Sequence, residues 1–522
     1  MAMLRFNSVF VAQSLQKLPP YFTIIHKAYS AVNIDRLLND ITILQSVFNN
    51  KDKIPGEQWK HVRESVLLHH NVNESNIDVA IMNLCKRYGN MDQMSSYIDF
   101  LKTNNFDVNL CIIVKYLEQY TLKENLTESE KKEICDIYDS IREKYPLLDC
   151  ITAENCISAL CLTKRWQESE ELLEMIKLTT EPHAKPYSAI IAAAFNNNNP
   201  KVGWKYFHEV SLNLKPQTHS YLAYINYCIR NFKDVKELKH EFSKLFYFWG
   251  NNYIIVPQSI ATALMDTGQK LNWKGSYTSM NLNGICNHCS QKLNECSLTS
   301  EEFDSLSTLL LQNVIVGKDT YQKTTPKELK FFINYVESTK PYDVVIDGLN
   351  VAYAQAGQSP KLLAKQLRLV VHYLVSQKKK LLVIGRKHMN LWPKEDINYI
   401  KQNACVFFTK DLSQDDPYLL YATLTSGRST DFVSRDLMRP HKHLLQNLKI
   451  KFLFKQWQVS HQYFVLRVNH NTGQVELQKP LKYHPIAQEC PDGWHIPYNT
   501  CTTLNPPDTN EPPRNWLCLK YK

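Results

Sequence analysis

Residues 342–350 read YDVVIDGLN, an apolar, β-branched run that closes on an aspartate and breaks at a glycine. Short continuous apolar runs bounded by turn residues mark strands buried on both faces of a parallel sheet. The stretches KLLVIGRKH (380–388), ACVFFTKD (404–411) and STDFVSRDL (429–437) repeat the pattern, with helical stretches between them. This predicts an α/β domain. Open sheets of this kind place their ligands beyond the C-terminal ends of the strands. Asp347 closes the first run, Asp436 the fourth, and Asp415 with Asp416 opens the segment after the third. One such Asp most often caps a helix or sits on the surface, but four converging on one crevice repel each other and call for a hard cation. Carboxylate ligation suits Mg²⁺, or Mn²⁺ in its place. Metal-assisted displacement at phosphorus is then the expected chemistry, with 5′-phosphate and 3′-hydroxyl products. No Gly-rich phosphate loop is present, which argues against an ATPase.

Upstream the period changes. From about 72 to 270 amphipathic helical patterns follow one another with short polar breaks. Pro182 and Pro216 lie 34 residues apart, as do Tyr187 and Tyr221, and each Pro precedes an apolar helix, KPYSAIIAAAF and then HSYLAYINYCI. A second helix follows each, GWKYFHEVSLNL and ELKHEFSKLFYFW, and weaker copies lie upstream in residues 78–101 and 155–176. Helix pairs at this period predict a solenoid of about five units. Period alone fits protein-binding tetratricopeptide repeats as well as RNA-binding pentatricopeptide repeats.

The net charge of +10 favours phosphate backbones or anionic membranes as partners. Between Lys361 and Lys410 eleven Lys and Arg face two acids, and the acidic pair Asp415–Asp416 follows directly, an arrangement that suits a nuclease. No apolar run approaches the roughly 18 to 20 residues needed to span a bilayer. Residues 1–34 contain no acid but carry Arg5, Lys17 and Lys27 among Ser and apolar residues. That composition predicts a mitochondrial transit peptide, followed by a linker over 35–71.

Most of the fourteen Cys sit singly in apolar stretches and read as reduced core residues. Cys286 and Cys289 differ, forming the knuckle CNHC, half of a structural zinc site. Spacing leaves the other half open among Cys490, His495, Cys501 and Cys518. Such a site joins segments some 200 residues apart on either side of the α/β domain.

The strings DVVIDGLNVAY, GRKHM, SQDDPYLLYATL, SRDLMR and WHIP followed by WLC together resemble the protein-only RNase P family in its animal mitochondrial form. The resemblance runs from about residue 72 to the C-terminus. It implies a pentatricopeptide RNA-binding domain over 72–270, a split zinc-binding central domain over 271–297 and 482–522, and a PIN-like metallonuclease domain of the NYN type over 298–481. It implies Asp347, Asp415, Asp416 and Asp436 as catalytic metal ligands, and Cys286, Cys289, His495 and Cys518 as zinc ligands. Cys490 and Cys501 become bystanders. The implied reaction removes the 5′ leader of mitochondrial precursor tRNA in the matrix, with a tRNA methyltransferase and a short-chain dehydrogenase as accessory subunits. Alternatives are cleavage of another structured RNA, or a non-catalytic RNA-binding scaffold. The chain departs from many relatives at Pro440, where they carry an acid. Asn350, one turn past Asp347, is a further candidate to orient water or phosphate, or a helix cap.

Overall fold

The computed structural model describes residues 48, 54–88, 91–123, 125–268, 273–312, 326–355, 357, 359–410, 416–439, 441, 445, 447–500 and 512–521. The transit peptide expected over 1–34 lies outside them, as do Asp415, Pro440 and Cys501. The chain separates into two compact units, one reaching Val210 and including His219–Tyr224, the other comprising Ser211–Thr218 and Ile225–Lys522.

The first unit is helical. The stretch 35–71, expected as a linker, contains helix α1 (Gly56–Leu67), which buries Trp59, Val62 and Val66. Trp59 Nε1 donates to Ser96 Oγ at 3.0 Å, so this helix packs on the array. Helices α2 (Ile77–Arg87), α3 (Met91–Thr103), α4 (Leu110–Tyr120), α5 (Glu128–Lys144), α6 (Cys150–Leu160), α7 (Glu168–Lys177), α8 (Ala184–Asn196) and α9 (Pro200–Ser211) follow. α2, α4, α6 and α8 form one row in which each packs on the next, and α3, α5 and α7 each pack on the preceding member of that row. The period has a local cause. Asp149, His183 and Gln217, each 34 residues after the last, are the N-caps of α6, α8 and α10 (Thr218–Asn231). Tyr187 and Tyr221 are buried at matching places one turn inside. Packing is tight enough that a Cβ on Gly203 would lie 2.6 Å from the Phe195 ring.

The second unit holds two sheets. The first has strand order β1-β10-β11-β2, from Val256–Pro257, Gly493–Asn499, Asn515–Tyr521 and Trp273–Thr278, with β9 (Gln488–Cys490) paired to β10. It is thus built from both sides of the α/β region. Helices α11 (Val235–Asn251) and α12 (Gln258–Gly268) belong to this unit, although their pattern reads as solenoid in the sequence. The reason is aromatic. Phe246 and Tyr247 meet the Trp494 ring edge-on at 5.1 and 4.8 Å, and Phe242 meets Trp273 at 5.8 Å.

The second sheet has order β5-β4-β3-β6-β7-β8. The four expected strands are β3 (Val344–Asp347), β4 (Leu381–Arg386), β5 (Cys405–Thr409) and β6 (Asp431–Val433), all parallel. β7 (Gln462–Val468) adds a fifth parallel strand and β8 (Val475–Gln478) an antiparallel edge. Alternate side chains enter two cores: Val345, Leu382 and Ile384 join Phe332, Phe432, Phe454 and Trp457, while Val344, Ile346 and Val383 join Leu367, Val371 and Ile400. Both faces are covered, which explains the uninterrupted apolar runs.

Candidate metal centres

The chain leaves β3 toward β4 on one side and later returns to lay β6 on the other, so the sheet's switch point lies between β3 and β6. Asp347, 6% exposed, ends β3 at that crevice. It also caps the short helix Gly348–Ala352, its Oδ1 accepting from Asn350 N at 3.0 Å. The chain can turn so sharply here because residue 348 is glycine: a Cβ would come within 2.8 Å of the Ile384 carbonyl oxygen.

Across the crevice Ser434 Oγ donates to Asp347 Oδ2 at 3.2 Å and accepts from Asp436 N at 3.1 Å. Asp436 was expected to close the fourth strand; β6 ends at Val433, and Asp436 lies three residues on in the loop. Its Oδ1 accepts from Met438 N at 2.6 Å, a local turn that fixes the carboxylate. Asn350 does not cap the helix; its Oδ1 accepts from Arg435 N at 2.7 Å, tying the β3 and β6 loops together. Asp416 opens helix Asp416–Ser426, and the buried His441 brings Nε2 to 3.6 Å from its Oδ2. Ser434 and His441 escaped the sequence reading, although Ser434 stands inside the quoted SRDLMR string.

The second site lies in the first sheet of this unit. His495 on β10 and Cys518 on β11 are direct cross-strand partners, and Cys518 pairs with Ser276 on β2. Just beyond β2 the chain folds into a knuckle in which Cys286 N donates to Gln291 O and Ser290 N to Cys286 O, both at 2.9 Å. Together these bring the ligand atoms of Cys286, Cys289, His495 and Cys518 within 4.8 Å of one another. Cys490 is not in that group, and Cys501 lies outside the described residues. Cys289 Sγ stands 3.2 Å from His495 Nε2. Burial, with Lys520 and His288 adding to it, holds the His495 pKa down at about 4, so the ring is neutral. Burial alone would push the Cys286 thiol up, but hydrogen bonds from the backbone N–H groups of Cys289 and His288, with the Thr278 and Cys289 side chains, together lower its pKa. Burial and the neighbouring Cys289 and Cys286 thiols push Cys518 the other way. A buried set of three sulfurs and one neutral imidazole, crowded so that the second thiolate opposes the next, fits a divalent cation. His495 Nδ1 is buried without a partner.

The model of the protein-only RNase P family matches residues 280–518. The mitochondrial ribonuclease P catalytic subunits of Mus musculus and Rattus norvegicus are each 32% identical to this chain over 85% of its length, covering 76% and 75% of theirs. The crystal structure of nuclear proteinaceous RNase P 2 from A. thaliana superposes with a TM-score of 0.50 at 15% identity, over 86% of this chain and 100% of that one. This shared fold has many helices followed by a C-terminal α/β region. The similarity to the mouse and rat subunits extends over most of both chains, and the chain therefore belongs to the protein-only RNase P family.

Proposed function

We propose that this protein is the endonuclease that removes the 5′ leader of precursor tRNA, acting in the mitochondrion and, more narrowly, its matrix. The observation that carries the reading is the meeting of Asp347, Ser434 and Asp436 at the switch point of the parallel sheet, in a chain of this family. Asp347, Asp415, Asp416 and Asp436 would hold Mg²⁺ or Mn²⁺, which when bound supplies Lewis acidity to an attacking water and to the departing oxygen. Carboxylates are the hard oxygen donors that Mg²⁺ and Mn²⁺ take, usually with waters completing the shell.

The chain's own groups act on position and charge. Ser434 orients Asp347, the Met438 amide holds Asp436, and Asn350 binds the β6 loop to the end of β3. Arg386 ends β4 and Lys387 follows it at the same C-terminal edge, where basic side chains would meet the phosphate backbone. We further assign Zn²⁺ to Cys286, Cys289, His495 and Cys518 as a structural ion, residues 271–297 and 482–522 to a split zinc-binding central domain, 298–481 to an NYN-type nuclease domain, and the helical array to pentatricopeptide repeats that hold RNA.

The test is cleavage of a mitochondrial precursor tRNA, run alone and with a tRNA methyltransferase and a short-chain dehydrogenase as accessory subunits. Asp416→Asn, alone and combined with Asp415→Asn, keeps shape but removes charge. Cleavage is expected to fall by about three orders of magnitude or more while RNA binding persists. A double variant that releases the leader at the wild-type rate overturns the assignment.

A further inference from the structure

In the first unit, away from the two sites above, Cys150, Glu154 and His183 bring a thiol, a carboxylate oxygen and an imidazole nitrogen within 4.8 Å of one another. Cys150 and Glu154 stand one turn apart on α6, so both point to the same side of the helix. His183 is the N-cap of α8, the corresponding helix of the next repeat. Its Nδ1 lies 2.9 Å from Glu154 Oε1, and Cys150 Sγ lies 3.8 Å from the same oxygen. Glu154 is 8% exposed, whereas the His183 ring is open to solvent.

Part of this arrangement serves the fold without any ion, since Glu154 Oε1 also accepts from His183 N at 2.9 Å. That bond needs only an acceptor. It does not need a thiol beside it or an imidazole turned back onto it. The comparison with the following repeat sharpens the point. Positions 34 residues on from Cys150, Glu154 and His183 are Ala184, Ser188 and Gln217, and there Ser188 Oγ simply donates to Ala184 O at 2.7 Å. The following repeat therefore packs without metal-ligating groups at these places, so packing itself does not call for the S, O and N donors between α6 and α8.

We propose that Cys150, Glu154 and His183 form a further divalent-metal site of the Zn²⁺ class, which staples two successive repeats and leaves a fourth position open to solvent. The chemistry of the donors selects the ion: thiolate, imidazole and carboxylate together suit Zn²⁺ and its substitute Co²⁺ over Mg²⁺ or Ca²⁺. The spacing is close to what a tetrahedral ion needs. Bonds of about 2.0 Å to nitrogen and oxygen and about 2.3 Å to sulfur set edges near 3.3 and 3.6 Å. The ring of His183 would withdraw by a few tenths of an ångström, which its exposure permits. Three protein ligands with an open position make a labile site, in contrast to the buried four-ligand set in the second unit. A clamp here acts at a nearest-neighbour interface, the place where a solenoid's stiffness is decided.

The experiment is a Co²⁺ titration of the full-length protein purified with the zinc it retains, following bound metal and thiolate-to-metal absorption. One equivalent with a thiolate band is expected, beyond the Co²⁺ that the carboxylates at the sheet's switch point take without such a band. His183→Ala, on an exposed ring, should lose that equivalent, and Cys150→Ser should lose the band. A band that depends on Cys289 and survives Cys150→Ser belongs to the other cysteine site and overturns the assignment to Cys150. Equal Co²⁺ uptake and equal spectra in the wild type and His183→Ala overturn the proposal. So does Co²⁺ uptake that shows no thiolate band at any stage of the titration.

Discussion

The Ser434 hydroxyl is the link between Asp347 Oδ2 and the backbone of Asp436. Groups that orient ligands from behind typically change metal-dependent activity by about 10- to 100-fold. Ser434→Ala is therefore expected to slow leader cleavage within that range and to raise the Mg²⁺ concentration needed for half-maximal rate, measured by titrating the metal in single-turnover assays. An unchanged metal requirement would show that the hydroxyl only shapes the loop. At the opposite end of β6, Asp431 is pushed up to about 7 by burial, with Lys379 opposing and Asp343 adding to it. Its folded pKa is thus above the ordinary value of 3.8. The folded chain keeps a proton that the unfolded chain releases, so this stabilisation is full below about 3.8 and is lost as pH rises through about 7. Asp431→Asn should flatten the fall of Tm between these pH values and raise Tm at pH 8. A variant whose Tm tracks the wild type across the range would remove Asp431 from the account.

Elements set the second centre. A knuckle after β2 and two neighbouring strands, β10 and β11, converge although 206 residues separate Cys289 from His495. If the ion there is structural, its binding free energy is largely folding free energy. Cys289→Ser should yield protein lacking one zinc equivalent, with a lowered Tm. The wild type should approach that Tm after treatment with a strong chelator. A Cys289→Ser variant that melts like the wild type and retains its zinc would sink the clamp.

For the molecule as a whole, the division into units decides where it can be cut. A fragment beginning at residue 271 loses β1, α11 and α12, and with them the rings of Phe242, Phe246 and Tyr247 that cover Trp273 and Trp494. A fragment beginning at 232 keeps them. Uncovering a buried aromatic costs about 3 to 5 kcal/mol, and each kcal/mol moves Tm by about 2 to 4 °C in a domain of this size. The shorter fragment should then melt at least about 10 °C below the longer one, or fail to fold, as read by near-ultraviolet circular dichroism. Equal melting would mean that α11 and α12 contribute nothing to the second unit.

By itself the sequence determined what is local and periodic. The 34-residue repeat, four parallel strands and the glycine after Asp347 are written in patterns a few residues long, because side-chain period and turn chemistry are properties of neighbouring residues. The resemblance added the pairing of Cys286 and Cys289 with His495 and Cys518, which spacing left open. The hairpin of β7 and β8 was not among the expected strands, although QYFVLRV and QVELQ flank NHNTG, whose Gly473 adopts a φ of +74°. Tertiary structure alone decided the rest. Amphipathic helices look alike whether they cover another helix or a sheet, so only the partners Trp494 and Trp273 reveal that α11 closes the second unit. Strand order is likewise absent from any local pattern, yet it places β6 beside β3 and so brings Ser434 to Asp347. The register between β10 and β11 sets His495 opposite Cys518, because pairing across strands depends on which residues meet and not on how far apart they lie in the chain.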